Sequence, residues 1–115
     1  MKYGDDKQDL HLEYNEIIFE WDNKPIGDLK EIAEKYSIGY YSQLNNIALY
    51  VLSEIKDIFG EHSVEEVVNK LGQPIINLDM KQVTYCNQTF DDIHIFSFCF
   101  SDDKFNKLCY FAMDG

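Results

Sequence analysis

The sequence predicts an α+β domain: an N-terminal strand or hairpin, three helices, and then a C-terminal antiparallel β meander packed against the helices. Apolar residues recur at every second position near the N-terminus and again after Pro74, and between these regions they recur at helical intervals. The chain has 115 residues, of which 45% are hydrophobic, which suits one domain with its own core. We therefore expect a single domain over residues 1–115, with residues 1–9 as a flexible, charged lead-in.

The first strand region covers residues 10–21. Apolar residues alternate with polar ones in two sets, namely Leu10, Leu12 and Tyr14, followed by Ile17, Phe19 and Trp21. The Asn15-Glu16 step shifts the alternation by one residue. Either a bulged strand or two short strands joined by a tight turn accommodates this shift, and the sequence leaves both open. Turn-forming residues at positions 22–27 end the region.

Helical periodicity begins after this turn. Asp28 and Glu31 have capping-box spacing and predict the start of a short helix that ends near residues 37–39. From Ser42 a continuous apolar stripe runs along one side of the second predicted helix, and Gly60 closes it. This stripe is the strongest helical signal in the chain.

The third predicted helix has clear signals at both ends. Ser63 and Glu66 form an S-x-x-E pattern, in which each side chain can bond the backbone N–H of the other residue. The helix is predicted to cover residues 64–71, because the Gly-Gln-Pro sequence at residues 72–74 cannot continue it.

From residue 75 onward the period is two, and turn-forming stretches at residues 87–92 and 101–106 predict an antiparallel meander. A last hairpin centred near Lys104 gives four cross-strand pairs: Phe98 with Tyr110, Phe100 with Leu108, Cys99 with Cys109, and Ser97 with Phe111. Both faces of the meander are then fairly apolar. We expect the helices to cover one face and a further structure to cover part of the other.

The charge balance limits the classes of partner. Acidic residues outnumber basic ones by 21 to 10, the formal net charge is -11, and every basic residue is a lysine. Nucleic acids and anionic membranes attract basic proteins, so neither is an expected partner, whereas a basic protein is. The chain does not open with a basic, apolar leader and has no stretch near the ~20 apolar residues that span a bilayer, which predicts a cytoplasmic protein.

No motif in the sequence predicts catalysis. The three histidines lack metal-ligand spacing, and the three cysteines form no C-x-x-C pair and are expected to be reduced and buried. His94 follows Asp91 and Asp92, where a carboxylate can hold its ring, but no nucleophile is paired with it. We expect no enzymatic activity, no cofactor and no metal.

Carboxylates beside aromatic residues suit a protein interface, because charges steer a cationic partner and aromatic side chains supply rigid contact area. The alternative interpretation is that the net negative charge serves only to keep the protein soluble. Eight residues are the predicted contacts with the partner, namely Asp91, Asp92, Asp102, Asp103, Tyr85, Phe105, Glu61 and Glu65.

The stretch SVEEVVNKLGQP at residues 63–74 leads into a meander that ends in YFAMDG at residues 110–115. With its size, its charge and its lack of catalytic motifs, the whole chain resembles the small acidic immunity proteins of bacterial contact-dependent growth inhibition and polymorphic toxin systems. The resemblance implies an inhibitor that binds a cognate toxin domain, here a basic nuclease, and blocks it sterically and electrostatically. The alternative is a non-catalytic homodimeric binding module of unknown ligand.

Overall fold

The structure, a computed structural model, describes residues 11–115 and confirms the α+β order. The elements are β1 (His11–Tyr14), β2 (Ile17–Glu20), α1 (Leu29–Ser42), α2 (Leu44–Phe59), α3 (Val64–Leu71), β3 (Ile75–Asn77), β4 (Gln82–Tyr85), β5 (Ile95–Phe100) and β6 (Leu108–Asp114). The strands form one sheet in sequence order, in which β2 and β3 are parallel and all other neighbours antiparallel. The predicted lead-in at residues 1–9 lies outside the described residues. Over residues 11–115, no helix is long and apolar enough to cross a bilayer.

The first strand region is a hairpin, so the two-strand alternative is correct. Asn15 and Glu16 both have left-handed backbone conformations, with φ of 55° and 64°, as a two-residue hairpin turn of type I′ requires. The turn is held against α1 by two hydrogen bonds of 2.8 Å. In one of them the Asn15 amide donates to the Ser37 hydroxyl, and in the other the Tyr41 hydroxyl donates to the Asn15 carbonyl.

Helix α1 is longer than predicted, because Gly39 lies inside the helix and does not end it. The helix continues to Ser42, and Gln43 alone separates it from α2. A Cβ atom at position 39 would lie 1.7 Å from the carbonyl oxygen of Asp103. The glycine therefore permits close packing against the β5–β6 loop, and the expectation of a helix end at residues 37–39 is wrong.

Both bonds of the predicted capping box at α3 are present. The Ser63 hydroxyl accepts the Glu66 N–H at 3.1 Å, and the Glu66 carboxylate accepts the Ser63 N–H at 2.9 Å. The bond from the Ser63 backbone is the main cause that holds the pKa of Glu66 below its usual value. Gly72 follows the helix with a φ of 76°, a conformation that favours glycine.

The helices cover one face of the sheet, where the large apolar side chains interlock. Tyr50 of α2 contacts Phe98 with a ring-centroid distance of 5.6 Å, and Phe59 contacts Phe96 at 6.2 Å. Fully buried strand residues on this face are Ile17, Phe19, Ile76, Val83, Tyr85, Phe96 and Phe98. The opposite face of the sheet carries none of the three helices, and we call it the open face.

The predicted register of the last hairpin is correct only near its turn. Cys99 pairs with Cys109, and Phe100 with Leu108, as expected. A bulge then adds one residue to β6, so that Ser97 pairs with Ala112 instead of Phe111. Tyr110 lies in the bulge with a φ of 59° and is 81% exposed. Phe111 is thereby placed on the helix-covered face, where its ring lies 5.7 Å from that of Phe96.

Candidate functional site

Two of the eight predicted partner contacts lie in the hydrophobic core, which corrects the prediction for both. Tyr85 is 0% exposed and Phe105 is 1% exposed. The alternation of β4 places Tyr85 beneath the helices, where its hydroxyl lies 2.7 Å from that of Tyr40. Phe105 folds back from its loop and stacks on Phe100 with a centroid distance of 4.3 Å. Neither side chain offers a surface to a partner.

The six acidic residues of the predicted site fall into two groups. Asp91 and Asp92 lie in the loop before β5, whereas Asp102 and Asp103 lie in the loop after it. A strand of six residues separates these loops by roughly 20 Å. The two aspartate pairs therefore lie at opposite ends of β5 and do not form a single acidic patch.

Glu61 and Glu65 lie at the same end as Asp91 and Asp92, and we call these four residues the acidic end. Phe90 joins the two loops, because its ring contacts that of Phe59 at 5.5 Å and that of His62 at 5.2 Å. The N–H of Thr89 also donates to the carbonyl of Lys70 in α3, at 2.7 Å. The structure thus brings together acidic residues that are about 30 positions apart in sequence, a proximity arising from the packing of one loop along α3.

Asp91 organises its loop and is not a free surface charge. Its carboxylate accepts the backbone N–H of Ile93 and of His94 at 3.2 and 3.1 Å, and the side-chain amide of Gln88 at 3.0 Å. The His94 ring lies 2.5 Å from the second oxygen. The bond to the His94 ring is the main cause that holds the pKa of Asp91 well below its usual value. Gln88 is not among the predicted site residues. It is 5% exposed, and its side-chain amide also donates to the His94 carbonyl at 2.8 Å, so it holds the same loop as Asp91.

We expect Asp91→Asn to destabilise the protein at neutral pH and to do so less in acid. The pKa of Asp91 is depressed by folding, so its stabilising contribution is present above its ordinary value of 3.8 and is lost as the pH falls below it. The measurement is the thermal unfolding midpoint of both proteins between about pH 7 and pH 3. The exposed neighbour provides the control, Asp92→Asn. A constant gap between wild type and Asp91→Asn over this range would contradict the assignment.

The open face has an uncharged centre and an acidic margin. Its central side chains come from five strands and are Ile18, Ile75, Gln82, Thr84, Ile95, Ser97, Cys99, Cys109 and Ala112. Glu13 of β1, Glu20 of β2 and Asp114 of β6 lie on the same face, and none of its strand residues is a lysine. An uncharged centre within a charged margin is typical of surfaces that bind proteins.

One corner of the open face adjoins the acidic end. Ile95 is 40% exposed and pairs with Asp114, and Ile93, two residues before it, is 67% exposed beside Asp92. Large exposed aliphatic side chains next to carboxylates combine an apolar anchor with a steering charge. The sequence alternation had indicated an apolar second face but not its connection to an acidic loop.

The cysteines are free but not all buried, which corrects that expectation. Cys86 and Cys109 are exposed and Cys99 is half-buried, because Cys99 and Cys109 point to the open face. Burial of the Cys99 thiol is the main cause that raises its pKa, and the charge of the adjacent Cys109 adds to this effect. A raised pKa lowers the fraction of the nucleophilic thiolate at neutral pH. Within residues 11–115 no group of three or more His, Cys, Asp and Glu side chains is arranged to hold a metal.

No protein-family model matches the chain, no curated protein matches its sequence, and no solved structure matches its fold.

Proposed function

We propose that this chain is an immunity protein that binds and neutralises a basic toxin domain, a nuclease, without catalysing a reaction. The observation that carries the proposal is the open face, with its uncharged centre and its acidic margin of Glu13, Glu20 and Asp114. A complementary partner has an apolar patch within a basic margin. Nucleases present basic surfaces because they bind phosphates, so such a partner fits both the centre and the margin.

The acidic end supports the capture step of this mechanism. The net charge of -11 attracts a basic domain over long range and raises the association rate by about 10–10³-fold at low salt. The exposed side chain of Asp92 directly precedes Ile93 at the corner that Ile93 and Ile95 form, so a partner steered to this end meets the apolar anchor there. Bound there, the inhibitor blocks the toxin sterically and places carboxylates where phosphates would bind.

We expect Ile95→Lys to abolish protection against the cognate toxin. The new lysine faces a basic partner at the apolar corner and replaces an anchor that is 40% exposed. The matched control is Ile38→Lys, the same change at an exposed position of α1 on the helical side. The assay co-expresses each variant with the cognate toxin domain, which the proposal places at the C-terminus of a secreted protein encoded next to this chain, and measures growth and the dissociation constant. Binding at least about tenfold weaker for Ile95→Lys alone supports the proposal. Equal protection by both variants contradicts it.

A non-catalytic homodimer is the second candidate, and the uncharged edge strand favours it. Residues 108–113 of β6 include no charged side chain and no proline, so apart from the bulge at Tyr110 this edge lacks common protections against strand pairing. Two copies repel each other through their like charges, so salt strengthens a homodimer, whereas salt weakens a complex with a basic toxin. Sedimentation across a salt series, of the chain alone and of the chain mixed with the toxin domain, separates the two functions by the sign of the effect.

A further inference from the structure

We propose that a second site, independent of the toxin-binding surface, binds a small organic anion with an apolar body, such as an aromatic monocarboxylate. The site is a cleft of about 310 Å³ between α1, the β2–α1 loop, the β3–β4 turn and the β5–β6 loop. Two of its lining residues, Lys35 and Lys81, are cationic, and Ile32, Tyr36 and Leu78 supply apolar surface. Nothing in the proposed toxin inhibition requires this cleft.

The position of the cleft in the fold favours a ligand site. It lies beyond the carboxyl ends of β2 and β3, the one parallel pair of strands in the described sheet. Open sheets bind ligands at the carboxyl ends of parallel strands, because the chain leaves both strands there and frames a crevice. The chain after β2 supplies Asn23 and Pro25 to this crevice, and the chain after β3 supplies Leu78.

Asp79 fixes the walls of the cleft and forms no ion pair with its lysines. Its carboxylate accepts the backbone N–H of Asp22 at 3.1 Å and of Asn23 at 3.0 Å, together with the Asn23 side-chain amide at 3.3 Å. These bonds, the one from Asp22 above all, hold the pKa of Asp79 below its usual value. The same bonds tie the segment after β2 to the segment after β3, so the cleft is formed before any ligand binds.

The two lysines have no carboxylate partner. Lys81 donates to the Tyr36 hydroxyl at 3.2 Å, and its ammonium lies 5.7 Å from the centre of the Tyr36 ring. Among residues 11–115, no lysine lies within 4.0 Å of a carboxylate oxygen. Lys81 also has a φ of 55°, a conformation that costs energy in a residue with a side chain and is concentrated at functional sites. Since no described lysine forms such a pair, what distinguishes Lys35 and Lys81 is that both line one cleft, and this clustering of ammonium groups indicates an anionic ligand.

The other lining residues define the ligand further. Leu78 is 6% exposed, and with Ile32 and the Tyr36 ring it provides a wall for a flat apolar group. Each lysine ammonium is a compact point charge on a flexible stem and can bind a carboxylate at the end of such a group. Asp79 and Asp103 also line the cleft, and their negative charges oppose the binding of an anion.

Benzoate provides the test, followed by backbone NMR chemical shifts, with neutral benzamide as its isosteric control. We expect saturable shifts centred on Tyr36 and Lys81, with a dissociation constant on the order of 1 mM. Lys81→Gln should weaken binding about tenfold, and Asp103→Asn should tighten it about threefold, since each changes one charge in the cleft. Lys56→Gln, an exposed site in α2, is the matched control and should change nothing.

Lys35→Gln provides a second test that leaves the β3–β4 turn unchanged, since Lys35 is exposed on α1. It should also weaken benzoate binding several-fold, with an unaltered circular dichroism spectrum. Equal affinity for benzamide, shifts that do not saturate, or full affinity in a folded Lys35→Gln variant would overturn the proposal. Each of these results leaves the proposed toxin inhibition untouched, because the open face is tested separately.

Discussion

Gly39→Ala is expected to destabilise the protein by about 3 kcal/mol, although helix propensity alone predicts a gain of about 1 kcal/mol. The new Cβ would lie 1.7 Å from the carbonyl oxygen of Asp103 and 2.9 Å from its carbonyl carbon. Both atoms belong to the backbone, so no side-chain rotation relieves the overlap. The β5–β6 loop is also anchored by Phe105, which is 1% exposed and stacked on Phe100.

Urea unfolding of the two proteins measures this effect. Glu34→Ala is the control, because it places an alanine at an exposed position of the same helix, where the expected change is within about 0.5 kcal/mol. The midpoint should fall for Gly39→Ala without a change in the slope of the transition. A Gly39→Ala protein as stable as wild type would mean that α1 and the β5–β6 loop are not in contact in solution.

This glycine shows what the sequence can and cannot predict. Glycine ends many helices, so the local pattern around residues 37–39 predicts a helix end. In the structure the helix instead continues through Gly39, and the role of this glycine is its close contact with Asp103, more than 60 positions away in sequence. By contrast, the capping box of Ser63 and Glu66 involves only neighbours three residues apart, and it was predicted correctly because both partners lie within one turn.

The same distinction separates the correct strand predictions from the incorrect ones. Alternation predicted the meander and the pairs nearest the last turn, because the turn fixes the register there. The bulge at Tyr110 carries no local signal, since bulges of this kind favour glycine at the left-handed position. The parallel pairing of β2 with β3 was not predicted either, because it joins strands separated by all three helices.

The candidate site was predicted only in outline. Alternation indicated a second apolar face, whereas the basic partner that composition indicates stays a proposal. Tyr85 and Phe105 are buried in the core and not on the predicted surface. The two aspartate pairs lie at opposite ends of β5 and not in one patch. The role of Asp91 as a loop organiser depends on bonds to Gln88 and His94 whose geometry no residue pattern specifies.

The buried tyrosine pair links the helices to the sheet and gives the second large expected effect. The hydroxyls of Tyr40 in α1 and Tyr85 in β4 lie 2.7 Å apart, and the two residues are 2% and 0% exposed. Tyr85→Phe leaves the Tyr40 hydroxyl buried without this partner, which should cost about 2 kcal/mol. Replacing both tyrosines by Phe removes both polar groups, so the double variant should be more stable than the sum of the single effects predicts.

Chemical denaturation of the wild type, Tyr40→Phe, Tyr85→Phe and the double variant forms a complete cycle. We expect a coupling of about 1–2 kcal/mol, since the two hydroxyls are in direct contact. Strictly additive effects would show that the hydroxyls do not bond to each other in solution.

Burial also raises the pKa of both phenols, so the folded state favours their neutral forms and loses stability as the pH rises above the unfolded value of 10. The double variant lacks both phenols, and its stability should therefore fall less steeply than that of the wild type in this alkaline range. An identical alkaline loss in the two proteins would assign that loss to groups outside the pair.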